Sequence, residues 1–237
     1  MKRYCLYLFI LIGISCSAEL KAQKNGTIYK GNDPAVRYTG RTLVSPDGSV
    51  AFDWVGTYLE TRFTGGKLSV KVSETGTSYY NVFVDGKLHK VVKVCGTDTL
   101  IHLVSGIDKR IHSLKIQKRS EGEFGKTTVH QFVLSGSGRL AEEPAVRTRH
   151  IEFIGNSLTC GYGTDGKHRD EPFLVETENC NLTFASMVAR YYDADYTLIA
   201  HSGRGAARNY GDSVRVSKVT MKDRMLNTFD EDLTHKW

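Results

Sequence analysis

The chain is expected to fold as an antiparallel β-sandwich, a jelly roll in its simplest form, followed by part of an α/β layer on a parallel sheet. Three observations predict this. From about residue 48 to 136 the sequence is a succession of short apolar runs separated by turn residues, with no long helical period. Around 137–149 it lapses into a polar connector, Gly138-Arg139-Leu140-Ala141-Glu142-Glu143-Pro144-Ala145. Beyond that the period changes to strand, loop, helix, strand, the opening order of a doubly wound layer.

The first half reads as eight runs: Val50 to Val55, Tyr58 to Phe63, Leu68 to Val72, Val82 to Val84, Leu88 to Val94, Thr99 to Val104, Ile111 to Ile116 and Val129 to Leu134. Leu68, Val70 and Val72 alternate with Ser69 and Lys71, and Asp85-Gly86 turns one run into the next as a hairpin. Such a pattern favours two packed sheets. Trp54, Tyr58, Tyr79 and Tyr80 either pack between those sheets or offer a stacking face to sugar rings. In the second half, a strand over Ile151 to Ile154 is followed by Asn181 as an N-cap. Phe184, Met187, Val188 and Tyr191 then fall at helical spacing as a core-facing stripe, and residues 196–200 form a second strand. Met221 to Phe229 is expected to make one more helix. Residues 146–237 thus hold only two convincing strands, fewer than a parallel sheet covered on both faces needs, so this domain reads as unfinished. The expected organisation is a leader at 1–22, a β-sandwich at 23–143 and the α/β portion at 146–237.

Lys2-Arg3 followed by the apolar run Tyr4 to Ile14 has the form of a signal peptide and is too short to span a membrane stably. Cleavage after Ala22 or Ala18 would give a periplasmic or secreted protein, and Cys16 leaves open a lipoprotein anchor. Formal charge is +6, and +4 once Lys2, Arg3, Lys21 and Glu19 are set aside, which is too mild and dispersed for a nucleic-acid partner. In an oxidising compartment Cys160 and Cys180 are the attractive disulfide pair. Free buried thiols are the alternative, and a zinc set of Cys160, His168 and Cys180 fits no known spacing.

The segment Ile151-Glu-Phe-Ile-Gly-Asn-Ser157 runs an apolar strand directly into a serine among small, turn-forming residues. A serine at the end of a buried parallel strand is placed to act as a nucleophile, because backbone N–H groups can gather there around a developing oxyanion. Gly155 is expected to permit a sharp turn, and a helix starting at Ser157 adds positive partial charge. The bland alternative is an ordinary helix cap.

Gly155-Asn156-Ser157-Leu158, extended by Thr159-Cys160-Gly161-Tyr162-Gly163, resembles the first signature block of the SGNH (GDSL-type) hydrolases, and within them carbohydrate esterase family 2. His201-Ser202-Gly203-Arg204-Gly205, followed by Arg208-Asn209-Tyr210, is similar to that family's second strand and oxyanion turn, and Lys118-Arg119-Ser120-Glu121 to the segment closing its N-terminal jelly roll. The resemblance implies a flavodoxin-like SGNH domain with Ser157 as catalytic nucleophile. It implies Gly203 as oxyanion donor, Gly205 being the lesser candidate, with Asn156, His201 and Asn209 around the pocket. It implies no metal or organic cofactor, and it gives O-acetylated plant polysaccharide or oligosaccharide, such as acetylated xylan or glucomannan, as substrate. Position 156 is Asn where the general pattern has Asp. The family's Gly-x-Asn-Asp block does not follow residue 203, so the chain is expected to be part of a longer enzyme lacking its base and some of its oxyanion hole. Asp232-Leu-Thr-His235 has the form of the family's last block without the strand that should precede it. The rival expectations are a sugar-binding or structural β protein with a vestigial hydrolase half, and a thioesterase- or lipase-like SGNH enzyme.

Overall fold

A computed structural model describes residues 26–142 and 145–237. The proposed leader at 1–22 lies outside them. Seven strands form one curled antiparallel sheet: β1 (Gly26–Lys30), β2 (Val36–Thr39), β3 (Leu43–Val44), β4 (Val50–Phe52), β5 (Tyr58–Val84), β6 (Lys87–Lys118) and β7 (Thr127–Ser135). Strand β5 is central, pairing with β2, β6 and β7, while β7 also carries β1 and β4. Six of the eight expected runs lie inside β5 and β6, which are long bent ribbons and not sequences of separate strands. The bends come at register shifts, between Gly66 and Leu68 and between Val72 and Thr77, and at positive-φ residues such as Gly66, Gly96, Asp98 and Gly106. A bulged residue kinks a strand without ending its pairing, so turn chemistry in the sequence marks corners of a continuous sheet. The concave face encloses Phe52, Phe63, Leu68, Val82, Leu103, Phe132 and Leu134, all fully or almost fully buried.

The second part holds β8 (His150–Gly155) and β9 (Asp195–Ala200), paired in parallel, with short helices α1 (Ser157–Cys160), α2 (Phe184–Tyr191) and α3 (Met221–Arg224). Two expectations need correction here. Helix α2 forms where its period predicted, but the apolar stripe does not face the core: Tyr191 is 84% exposed, Phe184 54% and Met187 49%. Its buried face is Ala185, Ser186 and Ala189, small residues that let the helix lie close to β9. Its N-cap is Thr183, not Asn181. Helix α3 stops at Arg224 instead of running to Phe229. A capping box of Thr220 and Asp223 starts it, but Arg224 turns back to the Asp230 carbonyl (2.7 Å) and Asp53 accepts the Asp230 N–H (2.9 Å), which pulls the chain out of helical geometry.

The two parts share a core. Val55 and Tyr58 of the first pack with Tyr196, Leu198 and Ala200 of β9, and Trp54 packs with Ile199 and Met221. Trp54 and Tyr58 are buried in this shared core and Tyr80 in the core of the antiparallel sheet, so these three offer no stacking face to a sugar. Gly56 lies at φ +75°, and a Cβ there would stand 2.6 Å from Leu198 Cδ1. Polar groups complete the joint. Asp195 accepts from Tyr58 (2.7 Å), Arg37 (2.7 Å) and Arg147 (2.7 Å). Burial opposes its charge, but these three donors outweigh that and hold its carboxyl well below the usual range.

Candidate active site

Register places the site. Gly155 at the end of β8 pairs with Ala200 at the end of β9, so Asn156-Ser157 and His201-Ser202-Gly203 leave the sheet side by side at its C-terminal edge. The backbone at Asn156 is extended and its Oδ1 accepts the Leu158 N–H (3.1 Å), so this side chain caps α1. Ser157, half-buried, is the first residue of that helix, and its own N–H has no intrahelical acceptor. The helix closes on Gly161 in the left-handed region at φ +84°. Gly155 is required for space and not for a special φ, as a Cβ would lie 2.0 Å from Thr159 Oγ1.

Ser157 and Gly203 line one cavity of about 680 Å³, together with Glu123, Asn156, Tyr162, Ser202, Arg204, Gly205, Arg208 and Tyr210. This volume is in the range of small-ligand sites. Gly203 has φ +74°, and its N–H has no acceptor among the described residues. Gly205 differs. Its N–H goes to Asn209 Oδ1 (3.2 Å), and Asn209 Nδ2 donates to the Val219 carbonyl (2.8 Å), so these two residues staple the loop behind the turn. Tyr162 stacks on Phe173 with centroids 3.7 Å apart, and Tyr210 stands 93% exposed at the rim.

His201 is 2% exposed and outside the cavity lining. Its Nδ1 meets Asp230 Oδ2 at 2.7 Å, and Nε2 is 3.5 Å from Glu123. Burial disfavours a charged ring, yet the bond to Asp230 and that carboxylate's charge prevail and hold its pKa above the ordinary histidine value. His235 is exposed, with Nδ1 3.6 Å from Asp232, and it too lies off the cavity. No histidine among the described residues lines the space around Ser157.

The expected disulfide is not formed: Cys160 and Cys180 are both free and buried. The Cys180 thiol faces the Lys118 carbonyl (3.4 Å), while Cys160 sits beside the carboxyls of Glu121 and Glu178. His168 joins neither cluster of possible metal ligands among the described residues, which are Glu121, Cys160, Glu178 and His201, Asp230, Glu231.

Sequence reasoning gave no role to Glu121, Glu178 or Glu123. The Lys118-Arg119-Ser120-Glu121 segment stood out as the close of the first domain, and in the structure each of its charged side chains has a task. Lys118 Nζ donates to Ser78 Oγ (2.8 Å) and to the carbonyls of Ser120 (3.1 Å) and Glu121 (3.2 Å). Arg119 binds the Glu178 carbonyl (2.7 Å), the Glu176 carbonyl (3.0 Å) and Asp165. Glu121 reaches Ser202 beside the cavity.

Residues 38–144 match the family model described as carbohydrate esterase 2 N-terminal. The chain is 34% identical over 180 residues to a cellulase/esterase, CelE, of Acetivibrio thermocellus, covering 76% of this chain and 22% of that protein. It is 31% identical over 199 residues to an acetylxylan esterase / glucomannan deacetylase of Cellvibrio japonicus, covering 81% of this chain and 54% of that one. The chain thus spans about half the length of the second relative and about a fifth of the first. A solved family two carbohydrate esterase from Clostridium thermocellum, in complex with cellohexaose, superposes with a TM-score of 0.79 at 32% identity, covering 85% of this chain and 61% of that structure. The chain carries the N-terminal domain of the family 2 carbohydrate esterases and resembles those enzymes through the parallel strands that present Ser157.

Proposed function

We propose that this chain belongs to an exported serine esterase that removes O-acetyl groups from plant cell-wall polysaccharide. Its architecture is read as a jelly roll followed by part of an SGNH-type α/β domain. One observation carries the reading: Ser157 and Gly203, whose N–H has no acceptor among the described residues, line the same cavity at the edge of two parallel strands. In the reaction Ser157 Oγ attacks the acetyl carbonyl, its proton passes to a general base, and the oxyanion is met by the N–H groups of Ser157 and Gly203. The sugar hydroxyl leaves with a proton, and water then releases acetate from the acyl-serine. Tyr162 and Tyr210 offer aromatic surface beside the serine where sugar rings can lie. The relatives' names, acetylxylan esterase and glucomannan deacetylase, support the substrate class. The burial of Trp54, Tyr58 and Tyr80 weighs against a purely sugar-binding role for the first domain.

With no histidine lining the cavity among the described residues, the chain by itself is expected to hydrolyse esters slowly. The test is hydrolysis of p-nitrophenyl acetate and acetylated xylan by the chain and its Ser157→Ala variant, with and without added imidazole. Serine-dependent hydrolysis that imidazole accelerates is the expected result. Equal rates in the two proteins, with or without imidazole, refute the proposal.

A further inference from the structure

The turn that presents Gly203 is held from the other domain. Glu121, wholly buried, accepts the Ser202 N–H through Oε2 and the Ser202 hydroxyl through Oε1. Behind it lies Glu178, also wholly buried, whose Oε2 accepts the N–H of Glu121 itself (2.9 Å). Glu178 Oε1 is buried with no acceptable donor within reach among the described residues. A carboxylate oxygen in that state would be costly. Two carboxyls this close in a dry site do not both ionise. Burial, reinforced by the charge of Glu121, drives the Glu178 carboxyl up to about 10, so Glu178 is held neutral with a carboxyl oxygen within 4.8 Å of one of Glu121. Glu121 is the member of the pair that receives two donors from Ser202.

We propose that Glu121, backed by Glu178, is the positioning residue that orients the Ser202-Gly203 turn so that the Gly203 N–H faces the reacting carbonyl. Neither side chain lines the cavity. Both act through Ser202, whose backbone carries the next peptide N–H in line, that of Gly203. A neutral Glu178 uses one oxygen to accept and one to donate, which glutamine reproduces in shape and in bonding. Glutamine at 121 is different, because its NH₂ opposes one of the two Ser202 donors. The kinetic part of this inference rests on the esterase reading, while the structural part does not.

Two measurements test it on the full chain: backbone hydrogen exchange over 200–204, and the kcat and KM of serine-dependent acetyl ester hydrolysis. Glu121→Gln is expected to speed exchange at Ser202 at least tenfold and to lower kcat by about 10- to 100-fold with KM little changed, as for loss of a transition-state donor. Glu178→Gln is expected to keep the wild-type exchange pattern, and Glu178→Ala to lose it. Should Glu121→Gln fail to fold, Ser202→Ala removes only the hydroxyl donor and is expected to show faster exchange over the same segment. A folded Glu121→Gln or Ser202→Ala with wild-type exchange and kcat overturns the proposal. If wild type has no Ser157-dependent activity, the esterase reading falls and the exchange data alone still decide whether Glu121 holds the turn.

Discussion

Replacing Gly56 by alanine tests whether the two parts of the chain really share one core. Two separate effects act at this position. The backbone lies at φ +75°, in the left-handed region that disfavours a Cβ by roughly 1–2 kcal/mol. The new methyl would also stand 2.6 Å from Leu198 Cδ1 and 2.8 Å from its Cγ, and overpacking of this kind costs about 1–3 kcal/mol. Leu198 is wholly buried and cannot swing into solvent. Together the loss is about 2–5 kcal/mol, a large part of the roughly 5–15 kcal/mol that holds a typical domain folded. Urea unfolding followed by tryptophan fluorescence reads it directly, since Trp54 reports the joint. A double-mutant cycle with Leu198→Ala separates the two effects. Truncating Leu198 destabilises on its own, by about 2–5 kcal/mol, but it removes the clash, so the double variant is expected to be more stable than the sum predicts by about 1–3 kcal/mol. A Gly56→Ala protein within 1 kcal/mol of wild type, or strict additivity in the cycle, refutes the shared core as the reason for this glycine.

Gly203→Ala meets no steric obstacle, its nearest neighbour being 3.9 Å from the new Cβ, so the φ of +74° is the source of trouble. Serine-dependent kcat is expected to fall by about 10²–10³ if the turn flips its N–H away, with little change in thermal stability beyond about 1–2 kcal/mol. The free thiols of Cys160 and Cys180 predict that alkylation in native buffer labels only Cys95 among residues 26–237, that both react after denaturation, and that reductant leaves the melting temperature unchanged. Stability is expected to fall as pH rises from about 5 to 7.5. Burial holds the carboxyl of Asp53 up at about 7, and Glu178 and His201 are also raised. Groups with a raised folded pKa contribute fully below their unfolded values and lose that contribution on approach to the folded ones. Urea midpoints across that window check this, and Glu178→Gln should flatten the slope. An unchanged slope in that variant refutes a neutral Glu178.

The strands of the first part were legible because Leu68, Val70 and Val72 recur at strand spacing, all three on the core, and because Asp85-Gly86, both at positive φ, turn β5 into β6. Their joining into two long ribbons was not, because a bulge such as that between Gly66 and Leu68 looks locally like a turn. The parallel pair and the serine at its end were legible for the reason that a strand-forming run, Ile151-Glu152-Phe153-Ile154, leading directly into Gly-Asn-Ser has few other uses. Helix α2 shows the limit of periodicity: it located the helix, but not whether the large residues or Ala185 and Ala189 would meet the sheet. Glu121 was invisible for a different reason. A carboxylate whose work is to hold a turn 81 residues away leaves no local pattern, and only the fold brings it to Ser202.

The clasp between Glu121 and Ser202 also bears on how such a protein can be rebuilt. The β half is not an interchangeable attachment, since exchanging it for an unrelated sugar-binding module would uncover Leu198 and Ile199 and leave the Gly203 turn without its tether. Chimeras joined at the connector around residues 137–149 would therefore need to keep the native β partner, whatever reach toward a polysaccharide surface the replacement was meant to add.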